Sequence, residues 1–187
     1  GTAGPGSGVN PRRTSEGDRV STKSERARRC LEATAYHEAG HAVVCCREGR
    51  RFRRATIEPD GERGTLGHVA GVVQPKWFRP DLELTPRLMI RAESEIVELW
   101  AGPAAERRFT NRWNRVGARG DEEGILLLAE RFHGGDVLAK YIAYLKARAE
   151  AYVASPVVWP EIEAVAAALI DRLTLTFEET RAVIRDM

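Results

Sequence analysis

Apolar positions along the chain recur with two periods, and their alternation predicts the elements. From Ser24 to Glu48, Ala27, Leu31 and Thr34 fall at helical spacing, and Ala42–Cys46 carries the pattern on to Gly49. A helix capped by Ser24 or Thr22 is predicted there. Ala55–Pro59 and Leu66–Val73 read as two short strands, with a turn around Asp60, Gly61 and Gly64. Gln74–Thr85, holding Pro75 and Pro80, is an irregular loop. Pro86 then opens a helix with Leu88, Ala92, Ile96 and Leu99 along one side. Gly102-Pro103 predicts a kink or restart, because Pro103 has no N–H for the carbonyl of Leu99. Further helices are expected from Asp121 (Ile125, Leu128 and Phe132 on its stripe), over Asp136–Ala154, and over Trp159–Leu173. The helix pattern over Asp136–Ala154 places Val137, Tyr141, Tyr144, Leu145 and Tyr152 on one broad face; the next turns Ile162, Val165, Ala166, Leu169, Ile170 and Leu173 inward. Thr176-Phe-Glu-Glu179 is a capping box that starts a last short helix through Ile184. The fold class is therefore mainly α with a small β-sheet (α+β).

Residues 1–22 break this pattern. They carry Gly, Ser, Pro and charge with almost no large apolar side chain, so a flexible tail is expected before a single domain over 23–187. A formal net charge of +2 creates no global field that demands a nucleic acid or a membrane. Two local basic runs stand out. Arg47–Arg54 holds five Arg in eight residues and reads as a solvated turn, with a basic rim for acidic substrates as the alternative. Arg107–Arg119 interleaves five Arg with Phe109 and Trp113 and reads as a surface loop rather than a nucleic-acid interface. Three Cys without a C-x-x-C suit a reducing cytoplasm. No apolar run reaches the ~18–20 residues of a membrane span, and no signal-peptide pattern opens the chain, so a soluble cytoplasmic protein is expected.

The chemistry concentrates in His37-Glu38-Ala39-Gly40-His41. Four residues apart on a helix, the two imidazoles project from one side and can reach one Zn2+ at about 2.0–2.1 Å. Glu38, not itself a ligand, is the candidate general base for a water activated by the metal. A catalytic zinc takes three protein ligands, so a third must come from elsewhere. Asp121, Glu122, Glu123, Glu106 and His68 are the candidates by residue type. Asp121 shares the stripe of Ile125 and Leu128, whereas Glu122 and Glu123 are rotated off it by about 100° per residue. A strand His more often sits at a surface, which disfavours His68.

Thr34–Val44 resembles the metal helix of the FtsH-type peptidase domain, the protease half of membrane-anchored AAA+ proteases. Thr56-Ile-Glu-Pro59 followed by Leu66-Gly67 is similar to that family's strand pair. Ala101-Gly-Pro-Ala-Ala-Glu106 resembles its Gly-Arg-Ala-Ala-Glu helix, and Val116-Gly-Ala-Arg-Gly-Asp121 its Thr-Gly-Ala-x-Asn-Asp segment. The likeness runs over about residues 30–185 in unbroken order. It implies a small sheet beside the active-site helix, His37, His41 and Asp121 as zinc ligands, and Glu38 as base. Glu106 matches a family carboxylate and is expected to orient a ligand His through its other ring nitrogen. Pro103 and Gly120 depart from the family's Arg and Asn, the basic loop before Asp121 is longer, and no Walker motif is present. The implied activity is that of a zinc endopeptidase acting on unstructured polypeptide, with any ATPase or adaptor acting in trans and homo-oligomerisation left open. The alternative is a zinc-retaining binding module without turnover that presents its basic surface to a partner.

Overall fold

A computed structural model describes residues 16–59 and 67–187, with side chains from residue 22 onward. The expected turn around Asp60 and Gly64, the start of the second strand at Leu66, and the tail up to residue 15 lie outside the described residues. Among the described residues, nine elements follow in order: α1 (Glu16–Arg47), β1 (Arg54–Thr56), β2 (His68–Ala70), α2 (Pro86–Thr110), α3 (Arg119–Ala129), α4 (Gly135–Ala154), α5 (Val158–Arg172), β3 (Thr174–Thr176) and α6 (Phe177–Arg185). The chain divides at Cys30 into two compact units. The first contributes the helical stretch from Glu16, eight residues ahead of the expected start at Ser24, and its described side chains are exposed. Leu31–Met187 is the second unit and holds everything that follows.

Within that unit the motif helix is the central element. Ala35, Ala39, Ala42, Val43, Val44 and Cys45 are all fully buried, so α1 is packed on every side rather than along one stripe. One core joins it to the sheet and to α5 through Phe52, Ile57, Ile162, Val165, Leu169 and Leu175. A second core, built on Val44, Ile96, Val97, Ile125 and Leu145, joins it to α2, α3 and α4. Gly49 ends the helix at φ 68°, and the N–H of Arg50 reaches back to the carbonyl of Cys45 at 2.9 Å. Such a terminus needs the left-handed conformation that glycine adopts without strain.

The sheet has three antiparallel strands in the order β2-β1-β3, with Ala55 opposite Val69 on one side and Leu175 on the other. The small β-sheet of the α+β expectation is present, but β3 was not expected. Its three residues are too few to show a period, and they pair only because Leu173 turns the chain at φ 64° after α5.

Four other expectations are corrected. The helix α2 runs unbroken through Gly102 and Pro103. The missing N–H of Pro103 affects one bond, while buried Ala101, Ala104 and Ala105 hold both halves against α1. On α4 the buried face is Leu145, Ala149 and Val153, leaving Val137 and Tyr144 exposed. On α5, Ile170 and Leu173 are exposed, because the packed face follows Ile162, Val165, Ala166 and Leu169. The run Arg47–Arg54 is no solvated turn throughout. Arg47 pairs with Glu161 through two bonds of 2.7 and 2.6 Å, and Arg51 pairs with Glu178 at 2.6 Å. Arg50 is only 2 % exposed and pairs with Glu95 and Glu98 of α2. Three charges thus tie the exit of α1 to three other helices. No single helix among the described residues is long and apolar enough to cross a membrane.

Candidate metal centre

On α1, His37 and His41 lie one turn apart with Glu38 beside the first, and the three are 8 %, 5 % and 5 % exposed in the order His37, Glu38, His41. The ring centroids of the two imidazoles are 4.8 Å apart. Asp121 comes from the first turn of α3, whose Ile125 and Ala129 are packed in the second core. That packing turns the carboxylate toward α1. Its Oδ2 lies 3.1 Å from Nε2 of His37, and its Oδ1 lies 3.5 Å from Nε2 of His41.

The other ring nitrogens fix which atoms are available. Nδ1 of His41 is 2.9 Å from the backbone carbonyl of Glu98. A carbonyl only accepts, so Nδ1 carries the proton and Nε2 keeps its lone pair. Nδ1 of His37 is 2.9 Å from Oε2 of Glu106, a carboxylate that likewise accepts. Asn114 donates its Nδ2 to the other oxygen of Glu106 at 2.8 Å, and its Oδ1 accepts the N–H of Gly117 at 3.0 Å. The loop bearing Asn114 is itself pinned, since the ammonium of Lys146 sits 4.2 Å from the Trp113 ring and 4.4 Å from that of Trp100. Asn114 carries no motif signal. Only its position in the fold reveals it.

The donor set suits a divalent transition metal. Ligand atoms of His37, His41 and Asp121 all lie within 4.8 Å of one another. The edges of a zinc tetrahedron with bonds of about 2.0–2.2 Å measure about 3.3–3.6 Å. The separations of 3.1 and 3.5 Å lie within about 0.2 Å of that range. A proton competes with a cation for this place. Burial pushes His37 down, but the hydrogen bonds to Asp121 and Glu106 and the nearby carboxylates outweigh it and raise His37 to about 10. His41 moves up as well, its burial outweighed by the charge of Asp121. Asp121 is held below the ordinary carboxylate range by the two imidazoles, against the upward push of its burial.

Glu38 differs from the other carboxylates. Its Oε2 is buried and has no hydrogen-bond partner among the described residues, a costly condition unless the site receives something there. Burial raises its pKa, and the two imidazoles only partly oppose the rise. The cleft it shares with the imidazoles has a volume of about 470 Å³ and apolar walls from Val69, Val72, Leu99 and Val116.

Of the other candidates, Glu122 and Glu123 are exposed and do not line the cleft. His68 lines the cleft but stands outside the ligand group. The basic loop contributes Asn114, Val116 and Gly117 to the cleft wall and none of its arginines. No family model matches the chain, and no curated protein matches it.

Proposed function

We propose that the chain is a zinc-dependent endopeptidase that hydrolyses unstructured polypeptides in the cytoplasm. The observation that carries this reading is the pairing of two features in one cleft. Two imidazoles and a carboxylate converge with their metal-facing atoms fixed, and one buried carboxylate oxygen, Oε2 of Glu38, is left without a partner. The resemblance of the surrounding segments to FtsH-type peptidases points the same way.

His37, His41 and Asp121 would hold the zinc, which when bound supplies positive charge to polarise a peptide carbonyl and bring the pKa of a water toward about 7. Glu38 takes the proton from the attacking water. As the C–N bond breaks, the same carboxyl delivers a proton to the leaving amine. Burial makes Glu38 a stronger base than a solvated carboxylate, and the buried wall around it keeps bulk water from competing. Glu106 and the Glu98 carbonyl hold the imidazoles in place through the step. On the sheet, β2 is an edge strand paired only to β1 among the described residues, and its free edge suits pairing with an extended chain. A folded substrate rarely offers such a segment. The residues named here perform the hydrolysis without ATP.

The test is metal content together with cleavage of unfolded casein. Wild-type protein is expected to carry one zinc per chain and to lose cleavage with a chelator. Glu38→Gln should keep its zinc and its fold while cleavage drops by at least about 100-fold, the usual contribution of a general base. Absence of zinc after reconstitution, or wild-type cleavage by Glu38→Gln, would overturn the proposal.

A further inference from the structure

Behind His41 lies a buried ion-pair cluster whose side chains have no role in the hydrolysis described above. Arg50, at the exit of α1, places its guanidinium between Glu95 and Glu98, which stand three residues apart on α2. Its Nη1 bonds Glu98, and its Nη2 lies 3.1 Å from Glu95. Both Arg50 and Glu98 are almost wholly inaccessible to water. Removing a guanidinium and a carboxylate from water costs several kcal/mol per ion, and apolar residues of similar volume often serve stability as well or better. Packing alone therefore does not account for the pair.

Its position does. Glu98 carries two acceptors near His41, and only one of them suits the metal centre. The backbone carbonyl takes the Nδ1 proton of His41 at 2.9 Å, in the plane that leaves Nε2 pointing at Asp121. The side-chain carboxylate lies close enough for its charge to act on His41. We propose that Arg50 is a positioning residue for the metal centre: by holding the Glu98 carboxylate, it leaves the Glu98 carbonyl as the partner of Nδ1 of His41. Without the guanidinium, the buried anion keeps only the Cys45 thiol, a weak donor, and competes for the imidazole N–H of His41. The ring then turns toward the side chain and Nε2 leaves its place. The inference rests on the reading of His41 as a zinc ligand.

Zinc affinity, measured by competition with a chromophoric chelator, and the steady-state constants for an unstructured peptide test it together. In Arg50→Leu, zinc affinity should fall by about 10–100-fold, the range for partners that orient a ligand. At saturating zinc, kcat should fall while KM stays within about twofold, because Arg50 does not line the cleft. Removing the carboxylate as well, in Arg50→Leu with Glu98→Leu, should restore zinc affinity to within about threefold of wild type. A role in packing alone gives no such recovery. If Arg50→Leu does not fold, the double variant alone decides, since it keeps the carbonyl and loses both charges. Wild-type affinity in the single variant, or undiminished loss in the folded double variant, overturns the inference. Wild-type protein that takes up no zinc overturns the peptidase reading instead.

Discussion

Gly102 shows how finely single positions set this centre. A Cβ on Gly102 would lie 2.2 Å from Nε2 of His41 and 2.5 Å from its Cε1, so the ring occupies the space any side chain would need. The nitrogen that faces Asp121 is the atom displaced. Gly102→Ala is therefore expected to lower zinc affinity by at least about 10-fold, as loss of an orienting partner does. Affinity equal to wild type, by chelator competition, would show that the ring can shift without cost. Residues of this kind are also where the sequence was least informative. His37, Glu38 and His41 announce themselves because helical spacing is local, and Asp121 follows from one stripe on α3. Arg50 and Asn114 act across 48 and 8 positions in the chain, on Glu98 and Glu106. Nothing in a basic run distinguishes the one arginine that is buried from its solvated neighbours.

At the scale of elements, the crossing of α1 and α2 decides whether the centre can assemble. A Cβ on Gly40 would lie 2.5 Å from the carbonyl oxygen of Ala101 and 2.8 Å from the Cβ of Ala105. The two helices touch backbone to side chain there, which brings Glu98 and Glu106 within 2.9 Å of the imidazoles on α1. Gly40→Ala should force them apart and cost about 1–3 kcal/mol, as overpacking does. The midpoint of urea denaturation checks this, and an unchanged midpoint would mean that the crossing relaxes freely. Small residues in Ala101–Ala105 make this contact, and their packing explains why Pro103 does not break α2. Long periodic helices were legible because their signal repeats over several turns. The third strand was not, since three residues carry no period, and Thr174 pairs with Thr56, 118 positions upstream, only because the chain turns at Leu173.

For the whole molecule, the centre predicts opposite responses of stability to pH with and without metal. In metal-free protein, His37 is raised from 6.5 to about 10, so the folded state holds a proton that the unfolded chain releases near neutrality. Its contribution is fully present below about pH 6.5 and is lost as pH rises toward 10. Asp121 is depressed from 3.8, so its contribution is present above about pH 4 and disappears only in stronger acid. Between pH 6.5 and 9, the site should therefore lower the melting temperature of chelator-treated protein as pH increases. On the proposed reading, zinc should oppose this slope: it would bind the deprotonated ligands, so its affinity, and with it the stabilisation RT ln(1 + [Zn]/Kd), grows as protons become scarce. Over pH 6–8 with excess zinc, the melting temperature should rise relative to the chelator-treated sample at each step. Asp121→Asn removes the anion that holds both the proton and the metal, and it should flatten both curves. If zinc shifts the wild-type curve by the same amount at every pH, or if Asp121→Asn leaves the two slopes intact, the proton and the metal do not share this site.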